Sequence, residues 1–152
     1  MANELQGKPF ERIGEGNFVI TVSHTAVATA AAIVRAGARP VFVDIEPTHF
    51  TMAPKQQEAL LTSWPFSQKT KAVIPVHLYG QPANMPEILK IARQHGLFII
   101  EDSAQAHGAT INGQKVDFLC LSRFATCSVT LDKTKYNIVQ LCAGASPTSW
   151  SP

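Results

Sequence analysis

Four short apolar runs, each separated from the next by a stretch of different periodicity, restrict this chain to a small set of architectures. Phe18–Val22, Pro40–Ile45, Lys71–Val76 and Leu97–Ile100 are rich in Val and Ile and read as buried strands. Between them lie three helical patterns. Thr25–Ala36 is Ala-rich and closes on Gly37, a natural C-terminal stop. Pro54–Thr62 opens with Pro at a first-turn position. Asn84–His95 carries Met85, Ile88, Leu89 and Ala92 on one face and ends at Gly96. Asn84 is positioned to cap that helix, with Glu87 three residues on as its capping-box partner. Strictly alternating strands and helices imply α/β: a mostly parallel sheet covered by helices. The strands are continuous rather than alternating apolar runs, which predicts burial on both faces. Ala109–Val116 follows as a small hairpin turning at Asn112-Gly113.

With 152 residues, the chain can fill one domain core and hardly two. Its 45% hydrophobic and 16% charged residues exclude a disordered polymer. No apolar run approaches the roughly 20 residues that a membrane helix needs. The polar start Met1–Lys8 lacks the apolar stretch of a secretion signal, so the expected location is cytoplasmic. Basic residues such as Arg35, Lys55, Lys71 and Arg93 are scattered, and no basic stripe marks a nucleic-acid surface. Cys120, Cys127 and Cys142 are an odd set at spacings that fit neither a disulfide framework nor a zinc site.

Ligands of open α/β sheets bind outside the carboxyl ends of the strands. Two strands end there in polar residues: Lys71–Val76 delivers His77, and Leu97–Ile100 delivers Glu101-Asp102. His24, His77, His107 and Asp102 invite a metal reading, but no pair has the helical His-x-x-x-His spacing. The expectation is therefore no metal, with these as packed polar residues near a pocket. Ser103 beside Asp102 lacks the Gly-x-Ser-x-Gly elbow of a hydrolase. Gly14-Glu15-Gly16 precedes a strand and has no third glycine, so it is no dinucleotide fingerprint.

Five ordered segments carry a resemblance. Gly14–Ile20, Ser23–Ala30, Gly37–Ile45, Pro75–Ala83 and Glu101–Ala109 resemble, in register, the shared motifs of the DegT/DnrJ/EryC1/StrS aminotransferases. The last, Glu-Asp-Ser-Ala-Gln-Ala-His-Gly-Ala, is similar to the family's E-D-A-A-Q-A-H-G-A. The resemblance implies a partial three-layer α/β/α large domain of the fold type I PLP-dependent transferase kind. It also implies pyridoxal 5'-phosphate as cofactor, glutamate and a nucleotide-linked keto-sugar as substrates, and a homodimer. Asp102 matches the residue that pairs with the cofactor's pyridine nitrogen, where a carboxylate favours the protonated form. Gln105 matches the residue that hydrogen-bonds the ring hydroxyl oxygen.

The resemblance weakens towards the C-terminus. The family's Schiff-base lysine lies in S-F-x-P-[ST]-K-N, and the corresponding stretch here is Cys127–Asn137. Ser128 and Lys133 keep the five-residue offset between phosphate-binding serine and lysine, but the aromatic residue and the proline are gone. The family's phosphate-binding loop has no counterpart in Met1–Ile13, and Ala26 stands where an aromatic ring often stacks on the cofactor. These features divide the chain into residues 1–13 without family match, a transferase-like portion at 14–116, and a divergent segment at 117–152. They also leave two readings open: an aminotransferase, or a truncated, catalytically inactive remnant or interaction fragment of one, for which a frameshift near Asp117 is one origin.

Overall fold

The computed structural model describes residues 13–116. Its elements run β1 (Phe18–Val22), α1 (Val27–Arg35), β2 (Arg39–Val43), α2 (Pro54–Leu61), α3 (Phe66–Lys69), β3 (Thr70–Ile74), α4 (Met85–Gln94), β4 (Phe98–Ile99), β5 (Thr110–Ile111) and β6 (Gln114–Lys115). The first four strands form one sheet in the order β2-β1-β3-β4, and every pairing in it is parallel. The strands β5 and β6 form a separate antiparallel hairpin. Its two-residue loop places Asn112 and Gly113 both at positive φ, as the type I′ turn demands.

The chain leaves β1 for β2 on one side, then crosses to β3 on the other side of β1. The direction of winding reverses between β1 and β3. That reversal opens a crevice at the carboxyl ends of the two strands.

Alternate residues of the sheet feed two cores. Val19, Ala72 and Ile74 pack with Ala32 and Ile33 of α1. Ile20, Val22 and Val73 pack on the other face with Leu61 of α2 and with Met85, Ile88, Ile91 and Ala92 of α4. The result is the three-layer α/β/α arrangement expected from the alternation of elements. In α4 the buried face uses Ile91, while Leu89 is only partly buried. Both α1 and α4 stop on a glycine at positive φ with the paired bonds of a Schellman motif. Ala38 and Gly37 donate to Ile33 and Val34, and Leu97 and Gly96 donate to Ala92 and Arg93.

Three expectations change. First, β2 is not buried on both faces: among the described residues it lies at the edge of the sheet, with Phe42 half exposed and only Val43 fully buried. Second, Asn84 is the N-cap of α4 but makes no side-chain cap bond, so the capping box with Glu87 does not form. Third, the strands end differently. After Val43, the Asp44 N–H turns to the Gln56 Oε1 and the Asp44 Oδ1 accepts from the Ile45 N–H, which closes β2 early. The ladder of β3 likewise stops before Pro75, and Val76 pairs only through an isolated bridge to Asp102.

Candidate functional site

Asp102 lies at the carboxyl edge of the sheet, joined to the end of β3 by two main-chain bonds. Its N–H donates to the Pro75 carbonyl at 2.9 Å, and its carbonyl accepts the His77 N–H at 2.9 Å. The residue is 6% exposed. Its Oδ2 accepts the Thr29 hydroxyl at 2.8 Å, and its Oδ1 accepts the Ala104 N–H at 3.2 Å. The carboxylate thus ties the start of α1 to the loop after β4. Each oxygen offers two lone pairs and uses one, so the group retains capacity for a further donor.

Beside it stands a fully buried imidazole. The Ala83 N–H donates to His77 Nδ1 at 2.9 Å, which leaves the ring proton on Nε2, 3.1 Å from Glu101 Oε2. The glutamate side chain is itself only 3% exposed, and its Oε1 has no partner among the described residues. His77 therefore holds the loop after β3, the segment 101–102 and the approach to α4 together.

Over the crevice, the loops after β1 and β3 meet through exposed side chains. His24 Nε2 lies 3.1 Å from the Tyr79 hydroxyl, with the two rings tilted and 5.8 Å apart. Tyr79 has φ of 55°, uncommon for a residue with a side chain. Its N–H donates to Gln105 Oε1 at 3.2 Å. Because an N–H needs an acceptor, that bond fixes which way the Gln105 amide faces and leaves its NH₂ as the end free to donate.

Of the residues singled out in the sequence, Asp102 and Gln105 are brought to one edge of the sheet together with His24 and His77. Ser128 and Lys133 lie outside the described residues. Thr29 is a neighbour of Asp102 that pattern reading does not single out. The available signal for Thr29 is a hydroxyl on the inner face of an Ala-rich helix, where a buried polar group requires a partner.

A parallel sheet with helices on both faces, and a nearly buried carboxylate at its carboxyl edge, defines an open-sheet α/β domain. Comparison with known proteins sharpens that class. The model of the DegT/DnrJ/EryC1/StrS aminotransferase family matches residues 5–131. The chain belongs to that family. It is 56% identical over 104 residues to a pleiotropic regulatory protein of Geobacillus stearothermophilus, covering 68% of this chain and 27% of the relative. It is 49% identical over 116 residues to the UDP-N-acetyl-3-dehydro-alpha-D-glucosamine 3-aminotransferase of Acidithiobacillus ferrooxidans, covering 74% of this chain and 30% of that enzyme. Among solved structures, S. venezuelae DesV superimposes with a TM-score of 0.62 at 43% identity, over 68% of this chain and 26% of its own. NtdA from Bacillus subtilis with bound cofactor PMP gives 0.59 at 35% identity, over 67% of this chain and 22% of its own. The chain therefore spans under a third of the length of these relatives. The family match runs further at both ends than the five motifs, reaching residue 131. Among the described residues, no helix is long and apolar enough to cross a membrane.

Proposed function

We propose that this chain is the cofactor-binding portion of a PLP-dependent aminotransferase that moves an amino group from glutamate to a nucleotide-linked keto-sugar. The observation that carries this reading is the placement of Asp102: a nearly buried carboxylate at the sheet's carboxyl edge, with lone pairs to spare. Family membership and the sugar aminotransferase among the relatives support it. The residues present fit the cofactor. Asp102 would accept a hydrogen bond from the protonated ring nitrogen, and the Gln105 NH₂, already aimed by Tyr79, would donate to the ring hydroxyl oxygen. Ser128 would contact the phosphate, and Lys133 would hold the cofactor covalently and carry the proton between carbon atoms. The bound cofactor would supply an electron sink for the carbanion formed when that proton leaves. Residues 14–116 would form the transferase-like portion, working as a homodimer in the cytoplasm.

A second reading, a non-catalytic relative that keeps the fold, is favoured by one observation. Between Ser128 and Lys133 the aromatic residue and the proline of the family pattern are absent. Borohydride reduction of the chain with PLP, followed by peptide mapping, separates the two. The aminotransferase reading expects label confined to Lys133 and weaker loading in Asp102→Asn. Label scattered over several lysines, unaffected by Asp102→Asn, would establish the non-catalytic reading instead.

A further inference from the structure

Thr29 is 2% exposed on the inner face of α1, between residues that pack the sheet through Ala32 and Ile33. Valine has the same shape and would pack there without a polar atom to satisfy, so the hydroxyl must be explained by its bonds. It makes two. Thr29 Oγ1 is 2.8 Å from Asp102 Oδ2 and 3.2 Å from Thr25 Oγ1. A hydroxyl carries one proton, and an ionised carboxylate offers only lone pairs. The Thr29 proton is therefore committed to Asp102, and the contact with Thr25 can form only with Thr25 as donor. The direction of the whole chain is fixed: Thr25 to Thr29 to Asp102.

The N-cap position of α1 is held by Ala26, and no side-chain cap bond forms there; the Thr25 hydroxyl lies beside Thr29 instead. The Thr25 bond polarises the Thr29 hydroxyl and strengthens its grip on the carboxylate. The other bonds of Asp102 come from its own loop and from the strand end beside it. Thr29 alone reaches its side chain from α1, and so sets the rotation of the carboxylate about its Oδ1 anchor.

We infer that Thr29, backed by Thr25, is a positioning residue that orients the Asp102 carboxylate towards a cationic ring nitrogen of the cofactor. The inference rests on the cofactor reading given above. Its test uses the full chain and pyridoxamine 5'-phosphate, which cannot bond to a lysine and so reports the pocket independently of Lys133. The second probe is the same compound with CH in place of the ring nitrogen. Thr29→Val should weaken binding of the first probe about tenfold, the size of one hydrogen bond to a charged group. Binding of the carbon analogue should stay within about twofold, and Thr29→Ser should restore the first probe's affinity. Thr25→Val, which leaves the buried hydroxyl in place, should cost about threefold on the first probe alone. Equal losses on both probes would make Thr29 a packing residue and overturn the inference. Should Thr29→Val not fold, the Thr25→Val result decides, selective loss supporting the relay and no loss overturning it. Asp102→Asn separates the levels. If Asp102→Asn weakens the first probe and neither threonine variant does, the relay alone falls. If Asp102→Asn binds like the parent, or the parent does not bind, the cofactor reading falls and takes the inference with it.

Discussion

At the scale of single residues, His77 has the largest share in holding the site. Its main chain bonds Asp102, while its ring bonds both Ala83 and Glu101, and all of this happens out of water. His77→Ala would strand the Ala83 N–H and a nearly buried carboxylate and leave a cavity besides. Breaking a buried charge-bearing contact from one side costs about 3–5 kcal/mol. Glu101→Gln keeps the volume and an acceptor oxygen for Nε2–H, so its cost should be nearer 1 kcal/mol. Urea midpoints of the two variants check this, and equal losses would show that the pair is not the source of the stability. Asp102 and His77 could be singled out in the sequence because polar residues at the end of an apolar strand are conspicuous, whereas Gln105 stood out only through the family resemblance. Thr29 did not stand out, since one threonine in Thr25–Ala36 has the appearance of a helix-interior residue. Only the distant partner 73 positions along the chain gives it meaning.

At the scale of elements, glycine stops tie the helices to the strands that follow. Gly96 follows α4 at φ of 65°, and a Cβ there would meet nothing within 4 Å. Gly96→Ala is therefore a clean measure of conformation without collision, and should destabilise by about 1–2 kcal/mol. Gly96→Asn should lose less, because asparagine enters the left-handed region more readily. Thermal unfolding of both variants tests the order, and an alanine variant as stable as the parent would remove the Schellman stop from the account. These stops, the Pro-led start of α2 and the Asn-Gly hairpin could be read from sequence because each depends on a residue with its own backbone preference. What could not be read depended on partners. The early end of β2 follows from Gln56 reaching back to Asp44, and at Asn84 the residue type alone did not decide whether the cap bond forms. The short α3 carries no buried residue and thus no apolar pattern to announce it. Continuous apolar runs suggested burial on both faces, which β1 obeys in all five residues and edge strand β2 does not. Val and Ile content alone does not distinguish a central strand from an edge strand with a partly covered face.

At the scale of the whole molecule, apolar side chains remain at the surface on several sides. Val27 and Val34 of α1 are 83% and 59% exposed, and Trp64 before α3 is 77% exposed. Phe42 of β2 is 49% exposed on a strand whose outer edge has no neighbour among the described residues. Exposed apolar groups scattered singly are ordinary, but a bare strand edge carrying a half-exposed aromatic ring is a template for pairing with another chain. The folded chain is therefore expected to self-associate as its concentration rises. A charge on the edge opposes edge-to-edge pairing, since bringing two copies together would strip it of water. Phe42→Lys should lower the associated fraction several-fold, whereas Val34→Lys, on the helix layer, should lower it only if that face is also covered. Sedimentation velocity over a tenfold concentration range reads both effects. A parent chain that stays monomeric throughout would show that the edge is inert. A parent that associates equally with and without Phe42→Lys would move the contact away from β2, to the exposed face of α1.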